Sequence, residues 1–429
     1  MSIYPEHATE RDRWILARRG ARNQLDPFKP HAFLVEEERA ESGEIVSVAT
    51  IFLTNRECPW RCVMCDLWKS TLTETVPSGA IPAQIDYALA ELSNQHSAGF
   101  QPASPGDIRV AGSNREQRLS PDAQARMPAL RQIKLYNSGS FFDPRAVPPQ
   151  EHEAIAQRVA AFDRVIVECH PALIGESALR FRDWLNATEA CAANPPPAPK
   201  MSLRKRSPSP RPSPRGEGEP DPADSPLSAC RGPLRRMDAS DGGHSHAATT
   251  KLEVAMGLET AHPQVLEKLN KRMTLDQFRR AAEFLRENGI ALRVFILVKP
   301  PFLDEAEALL WARRSIDFAF DCGATVVSLI PTRFGNGALE TLAVNGEFSP
   351  PKLATLEAAL DYGVSLNHGR VFADLWDLEQ FGNCAECFEQ RRTRLLEMNL
   401  RQVVLPQVPC ASGCGRPSGT GMLPVSDND

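Results

Sequence analysis

The stretch Ile45-Val46-Ser47-Val48-Ala49-Thr50-Ile51-Phe52-Leu53-Thr54-Asn55-Arg56-Glu57-Cys58-Pro59-Trp60-Arg61-Cys62-Val63-Met64-Cys65 decides how the rest of the chain is read. Its first part, rich in β-branched and apolar residues, reads as a strand over residues 45–53. Its last eight residues present three thiols in a C-x3-C-x2-C spacing, on the loop that leaves that strand. Parallel α/β sheets build their sites at the C-terminal ends of strands, so a ligand-bearing loop at this place points to such a sheet.

Working outward, short β-branched runs alternate with amphipathic helical segments from Glu44 onward, the pattern of a parallel sheet covered by helices. Further strands are predicted at residues 133–136, 165–169, 252–256, 292–298 and 326–330, making six with the first. Ile81, Ile85, Ala88, Leu89 and Leu92 recur at helical spacing behind Pro82, so a helix follows the first strand. Thr274 and Gln277 form a capping box ahead of Phe278, Ala281, Ala282 and Leu285, and Gly289 closes that helix. Asp304 and Glu307 repeat the device before Leu309, Ala312, Ile316 and Ala319. The expected fold is α/β: a partial (βα)6 TIM-like barrel over residues 44–375, preceded by an extension at 1–43 and followed by a small cysteine-rich module and tail at 376–429.

Two stretches break the alternation. Residues 97–128 carry Pro, Gly, Ser and Gln without apolar periodicity, and 24 of the 49 residues from Pro195 to Gly243 are Pro, Gly or Ser. Neither buries enough apolar surface to order itself, so disordered insertions are expected at about 97–128 and 195–248. Each follows a helix and precedes a strand, at the face of the sheet opposite the expected site. The run Ser207-Pro208-Ser209-Pro210-Arg211-Pro212-Ser213-Pro214-Arg215 resembles translated intergenic repeat elements of bacterial genomes and reads as an inert insertion.

The net charge of −5 argues against wholesale wrapping of a nucleic-acid backbone. The longest apolar run near a strand, residues 294–298, is far short of the ~18 residues of a membrane span. Glu6, Glu10, Arg11, Asp12 and Arg13 precede any apolar stretch, unlike a secretory signal, and a cytoplasmic address is expected. In that compartment the eleven cysteines do not read as a disulfide framework, and seven of them fall into two tight groups whose spacing suits metal. Cys169, Cys191, Cys230 and Cys322 are scattered and read as buried or loop thiols.

Three thiolates so close together suit an iron-sulfur cubane with one iron left open to a small molecule; a structural zinc would need a fourth protein ligand. His170 or a distant thiol, completing a zinc module, is the alternative. Further elements follow in order: Leu135-Tyr136-Asn137-Ser138-Gly139-Ser140-Phe141-Phe142-Asp143 after the second strand, Glu168 at the end of the third, Gly257-Leu258-Glu259 at the end of the fourth, and Asn270-Lys271-Arg272 opening the next helix. With the cysteine loop, this succession resembles the radical S-adenosylmethionine (radical SAM) superfamily.

The resemblance implies a [4Fe-4S] cluster on Cys58, Cys62 and Cys65. S-adenosylmethionine would bind the open iron and be reductively cleaved to a 5′-deoxyadenosyl radical. It further implies that Ser138, Gly139 and Ser140 meet the methionyl ammonium, that Glu168 and Glu259 hold ribose and methionyl groups, and that Arg272 reaches the carboxylate, as in coproporphyrinogen dehydrogenases and elongator catalytic subunits. A flavodoxin or ferredoxin is the implied electron donor. Met64 departs from the aromatic residue that many members place before the last cysteine.

Within the superfamily the cluster loop, residues 135–143 and residues 256–274 are most similar to the elongator-like branch, especially the radical SAM partner of archaeosine synthase and its bacterial relatives. This implies modification of a nucleoside in RNA, with tRNA as the bearer. The alternatives are radical modification of a small metabolite or protein side chain, and a non-catalytic iron-sulfur or zinc RNA-binding protein.

Beyond the barrel, Cys384-Ala385-Glu386-Cys387 is followed after 22 residues by Cys410-Ala411-Ser412-Gly413-Cys414, which suits zinc or an auxiliary iron-sulfur cluster. Arg391, Arg392, Arg394 and Arg401 form either a local positive face for RNA phosphate or a solvated helix face.

Overall fold

The computed structural model describes residues 2–97, 109–110, 130–192 and 249–414. In chain order the named elements are α1 (Ala8–Leu16), β1 (Ala32–Arg39), β2 (Ile45–Phe52), α2 (Ala80–Ser97), β3 (Arg109–Val110), β4 (Leu130–Tyr136), α3 (His152–Val159), β5 (Arg164–Glu168), α4 (Glu176–Ala192), β6 (Lys251–Glu259), α5 (Pro263–Lys268), α6 (Leu275–Glu287), β7 (Ala291–Val298), α7 (Glu305–Asp321), β8 (Val326–Pro331), α8 (Ala338–Val344), α9 (Leu353–Ser365), β9 (Arg370–Ala373) and α10 (Phe388–Arg401).

The sheet order is β3-β1-β2-β4-β5-β6-β7-β8-β9, with every neighbouring pair from β2 to β9 parallel. This is an α/β partial barrel, open between its first and last strands. All six predicted strands are present. The capping box of Thr274 and Gln277 forms on α6, the Asp304 carboxylate accepts the N–H of Glu307 on α7, and Gly289 takes the left-handed conformation expected of a helix terminator.

Alternation along the strands separates two interiors. Ile51, Ile133, Leu135, Val165, Val167, Val254, Met256, Val294 and Ile296 face outward and are fully buried under the helices. The alternate residues face into the barrel, and its floor is ionic. Lys134 Nζ lies 2.8 Å from Glu36 and 2.6 Å from Glu38, and Arg293 lies 2.5 Å from Glu38 and 2.7 Å from Glu253. Arg164 reaches Glu253 at 3.0 Å. Buried charges persist only when paired in this way.

Three strands were not anticipated. β1 pairs antiparallel with β2 along its whole length, although it lies before residue 44. In the barrel, Glu36 and Glu38 of this strand point inward and Lys134 and Arg293 neutralise them. β9 has four residues, too few for a period to register. Within the stretch expected to be a disordered insertion, Arg109 and Val110 form β3 and pair with Phe33 and Ala32. Ser97 ends α2, and the rest of that stretch, with residues 195–248, lies outside the described residues.

Helix α10 packs against both β1 and β9, across the open side of the barrel. Among the described residues no helix is long and apolar enough to cross a membrane.

Candidate functional site

A cavity of about 690 Å³ opens at the C-terminal ends of the parallel strands and runs down to the ionic floor. Cys58, Cys62, Cys65, Ser138, Gly139, Ser140, Glu168 and Glu259 all line it, so the structure brings these sequence-predicted residues together. Pockets of this size hold small molecules and cofactors.

The three thiols are half-buried, and desolvation pushes Cys62 up to about 12 and raises Cys58 and Cys65 as well. Bare thiolates are therefore disfavoured here, and a bound cation that coordinates them would reverse the preference. The loop is fixed from several sides. Asn336 Nδ2 donates to the carbonyl of Val63 at 2.6 Å, and Asn270 Nδ2 to that of Arg61 at 2.8 Å. Glu57, next to Cys58, accepts Arg19 at 2.7 Å and also pairs with Arg22 and Arg61. Burial alone would raise Glu57, yet Arg22 and Arg19 hold its carboxyl below the usual range.

The turn after β4 presses against this loop. A Cβ on Gly139 would stand 2.9 Å from Cys58 Cβ, so only glycine fits there. Glu168 Oε1 accepts the N–H of Asn137 at 2.6 Å and of Gly139 at 3.3 Å, tying the end of β5 to the turn. Burial raises the Glu168 carboxyl, and these N–H groups work against the rise. Ser140 Oγ accepts the N–H of His170 at 2.9 Å.

Beside the thiols, at the end of β6, Lys271 Nζ meets Glu259 Oε1 at 2.5 Å, and Gly257 leaves them room, since a Cβ there would collide with both. Burial works against the charge on Lys271, but Glu259 and the nearby thiols keep its ammonium above the ordinary lysine range. Arg272 is not brought to the cavity. Its guanidinium pairs with Asp12 at 2.8 Å and donates to the carbonyl of Ala8 at 3.0 Å, with the side chain 41 % exposed. Ser138, Glu259, Asn270 and Arg272 all have positive φ, at 51°, 66°, 60° and 60°. Such left-handed residues cost energy and concentrate at functional sites.

His170 stacks on Trp60 with ring centroids 3.7 Å apart. Its Nδ1 accepts the N–H of Ala172 and its Nε2 lies 3.0 Å from the carbonyl of Lys271. Both ring nitrogens are engaged, which leaves neither for the zinc module considered as an alternative. Burial and Lys271 depress this imidazole to about 3. Met64 lines the cavity beside these residues.

A second group lies at the start of α10. The Sγ atoms of Cys384, Cys387, Cys410 and Cys414 are all within 4.8 Å of one another, a set able to hold a metal ion. The arginines of α10 are engaged within the chain. Arg391 pairs with Glu357 and Arg394 with Asp361, both largely buried, while Arg392 and Arg401 pair with Glu389 and Glu397. The positive face considered for RNA phosphate is thus already neutralised by carboxylates.

No protein-family model matches the chain. An uncharacterised protein of Methanocaldococcus jannaschii is 20 % identical over 342 residues, 77 % of this chain and 68 % of that one. The archaeosine synthase subunit beta of Methanosarcina acetivorans is 34 % identical over 103 residues. The chain resembles radical SAM enzymes of the elongator-like kind. The match to that subunit spans 24 % of this chain and only 30 % of the subunit. Among solved structures, an Elp3 of Methanocaldococcus infernus aligns at 11 % identity with a TM-score of 0.35, covering 58 % of this chain and 48 % of the other. The Escherichia coli coproporphyrinogen III oxidase, a radical SAM enzyme, aligns at 10 % with a TM-score of 0.34, over 73 % and 50 %.

Sequence reasoning missed Lys271 in favour of its neighbour, and missed the N-terminal segment altogether. Asp12, Arg19 and Arg22 from that segment brace residues 57–61 and 270–272. Their signal was weak: charged residues near a terminus look alike whether solvated or docked.

Proposed function

We propose that this chain is a radical SAM enzyme whose cluster is held by Cys58, Cys62 and Cys65. The observation that carries the reading is the convergence of three half-buried thiols on the lining of one deep cavity, with Gly139 pressed against Cys58. When bound, a [4Fe-4S] cluster supplies the electron for reductive cleavage of S-adenosylmethionine. The chain's own part is to bind, orient and exclude water. Glu168 fixes the turn over residues 137–139, and Ser138 and Ser140, which line the cavity there, would meet the cofactor's amino group. Glu259 and Lys271 offer a carboxylate and an ammonium close to the thiols, and in this reading Lys271 rather than Arg272 would meet the cofactor carboxylate.

The likeness to archaeosine synthase subunit beta supports a nucleoside in RNA, such as tRNA, as substrate, with a partner subunit; a flavodoxin or ferredoxin as electron donor and a cytoplasmic address belong to the same proposal. The neutralised arginines of α10 favour the second reading, radical modification of a small metabolite or protein side chain. In either reading the C-terminal thiols form a separate metal site, for zinc or for an auxiliary cluster. Anaerobic reconstitution followed by an assay for 5′-deoxyadenosine release tests the enzyme. Release is expected from the wild type, and its absence from fully reconstituted protein would overturn the proposal. Co-purification of RNA separates the two substrate classes.

A further inference from the structure

The four C-terminal thiols do more than sit close together. Cys384 Sγ and Cys410 Sγ are 3.7 Å apart. Four sulfurs at about 2.3 Å around one tetrahedral ion are separated by about 3.8 Å, the edge of that tetrahedron. Thiolates bound to separate irons of a cubane stand farther apart, because the iron-sulfide core lies between them. The backbone agrees. The N–H groups of Cys387 and Phe388 both point to the carbonyl of Cys384, and the N–H of Gly413 donates to that of Cys410 at 3.1 Å, forming two tight thiol-bearing turns. Gly413 adopts φ +68°, which lets the longer C-x3-C turn bring Cys414 back to the group.

This centre is built into α10, which lies across the open side of the barrel against β1 and β9. Cys387 is the residue that starts α10, and Arg391, one turn later, donates to the carbonyl of Cys414 at 3.3 Å while pairing with Glu357 of α9. At the other end of the helix, Asn399 bonds both the N–H and the carbonyl of Ala373, at 2.8 and 2.9 Å. Gln402 does the same to Val371, at 2.7 and 2.9 Å. These two amides complete the free edge of β9 as a further strand would. Leu396, Asn399 and Leu400 of α10 form part of the cavity wall.

We propose that Cys384, Cys387, Cys410 and Cys414 hold a single tetrahedral ion of the zinc class, which latches α10 across the open side of the barrel and so keeps the cavity wall in place from a distance. This rests on the reading of the four thiols as a metal site, and it does not depend on the chemistry proposed at the barrel mouth. The ion's work is mechanical: it joins the start of α10 to the chain that returns after it, so that the helix is held at both ends.

The test uses the full chain, purified anaerobically with cluster and zinc supplied. Metal and sulfide analysis is expected to find about one zinc per chain, retained in Cys62→Ala and lost in Cys387→Ala, with the inorganic sulfide of Cys387→Ala unchanged. Hydrogen exchange is expected to speed up at least tenfold over residues 371–373 and 388–401 in Cys387→Ala, and to stay the same over β4 to β7. Should that variant fail to fold, zinc is removed from folded wild type with a chelator and the same exchange is measured. Loss of sulfide and iron along with Cys387 would show a cluster and overturn the proposal. Loss of zinc without faster exchange in α10 would overturn the latch. Failure of the barrel-mouth reading would show elsewhere, as no iron lost in Cys62→Ala.

Discussion

The two cysteine groups of this chain solve different problems. At the barrel mouth three thiols line a deep cavity, and much of the support around their loop comes from other parts of the chain: Arg19 and Arg22 through Glu57, Asn270, Asn336 and the close approach of Gly139. At the start of α10 four thiols gather within 4.8 Å of one another near the surface, and the group itself is the support. An incomplete ligand set held by a rigid frame leaves a coordination position for chemistry, whereas a complete set closes on its ion and serves architecture.

The largest effect expected from this contrast is at the mouth. Cys62→Ala is expected to lose its iron and sulfide and to bring 5′-deoxyadenosine release down to background, measured by metal analysis and by chromatography of the reaction. Iron retained in that variant would erase the distinction between the two groups.

Next comes the frame beneath the cavity. Arg293→Ala leaves Glu38 and Glu253 buried with one partner fewer, and is expected to cost about 3–5 kcal/mol in denaturant unfolding. A small effect would mean that the ionic floor is dispensable to the barrel.

A pH experiment addresses the frame in another way. Burial among Phe141, Phe142, Phe181 and Trp184 depresses His152 to about 4 from the ordinary 6.5. Below pH 6.5 the unfolded chain binds this proton and the folded chain does not. Stability is therefore full above 6.5 and falls by about 1 kcal/mol per pH unit down to roughly 4. His152→Phe is expected to flatten that slope in thermal melts; an unchanged slope would assign it to other groups.

The smallest effect is expected at the surface of α10. Arg392→Ala breaks only the exposed pair with Glu389 and should change stability by less than about 0.5 kcal/mol, with no change in RNA retention on a filter. A clear loss of RNA would restore the positive face to consideration.

Much of the barrel was legible because its signals are local. β-branched runs marked β2 and β4 to β8, and Thr274 with Gln277 marked the start of α6. The cysteine loop and Gly139 were legible as well, because spacing and a lone glycine after a strand survive without tertiary context. What escaped depends on partners distant in sequence. Glu36 and Glu38 look solvated until Lys134, nearly a hundred residues later, turns β1 into a barrel strand. Lys271 and Arg272 are adjacent and both cationic; only the fold sends one to Glu259 and the other to Asp12.

The amide caps that Asn399 and Gln402 place on β9 carry a consequence for how copies of this chain behave toward each other. An uncovered terminal strand is a template on which another molecule can add its own backbone, the first step of aggregation. With Val371 and Ala373 already bonded by side chains, that template is blocked, and any loosening of the helix would expose it to self-association.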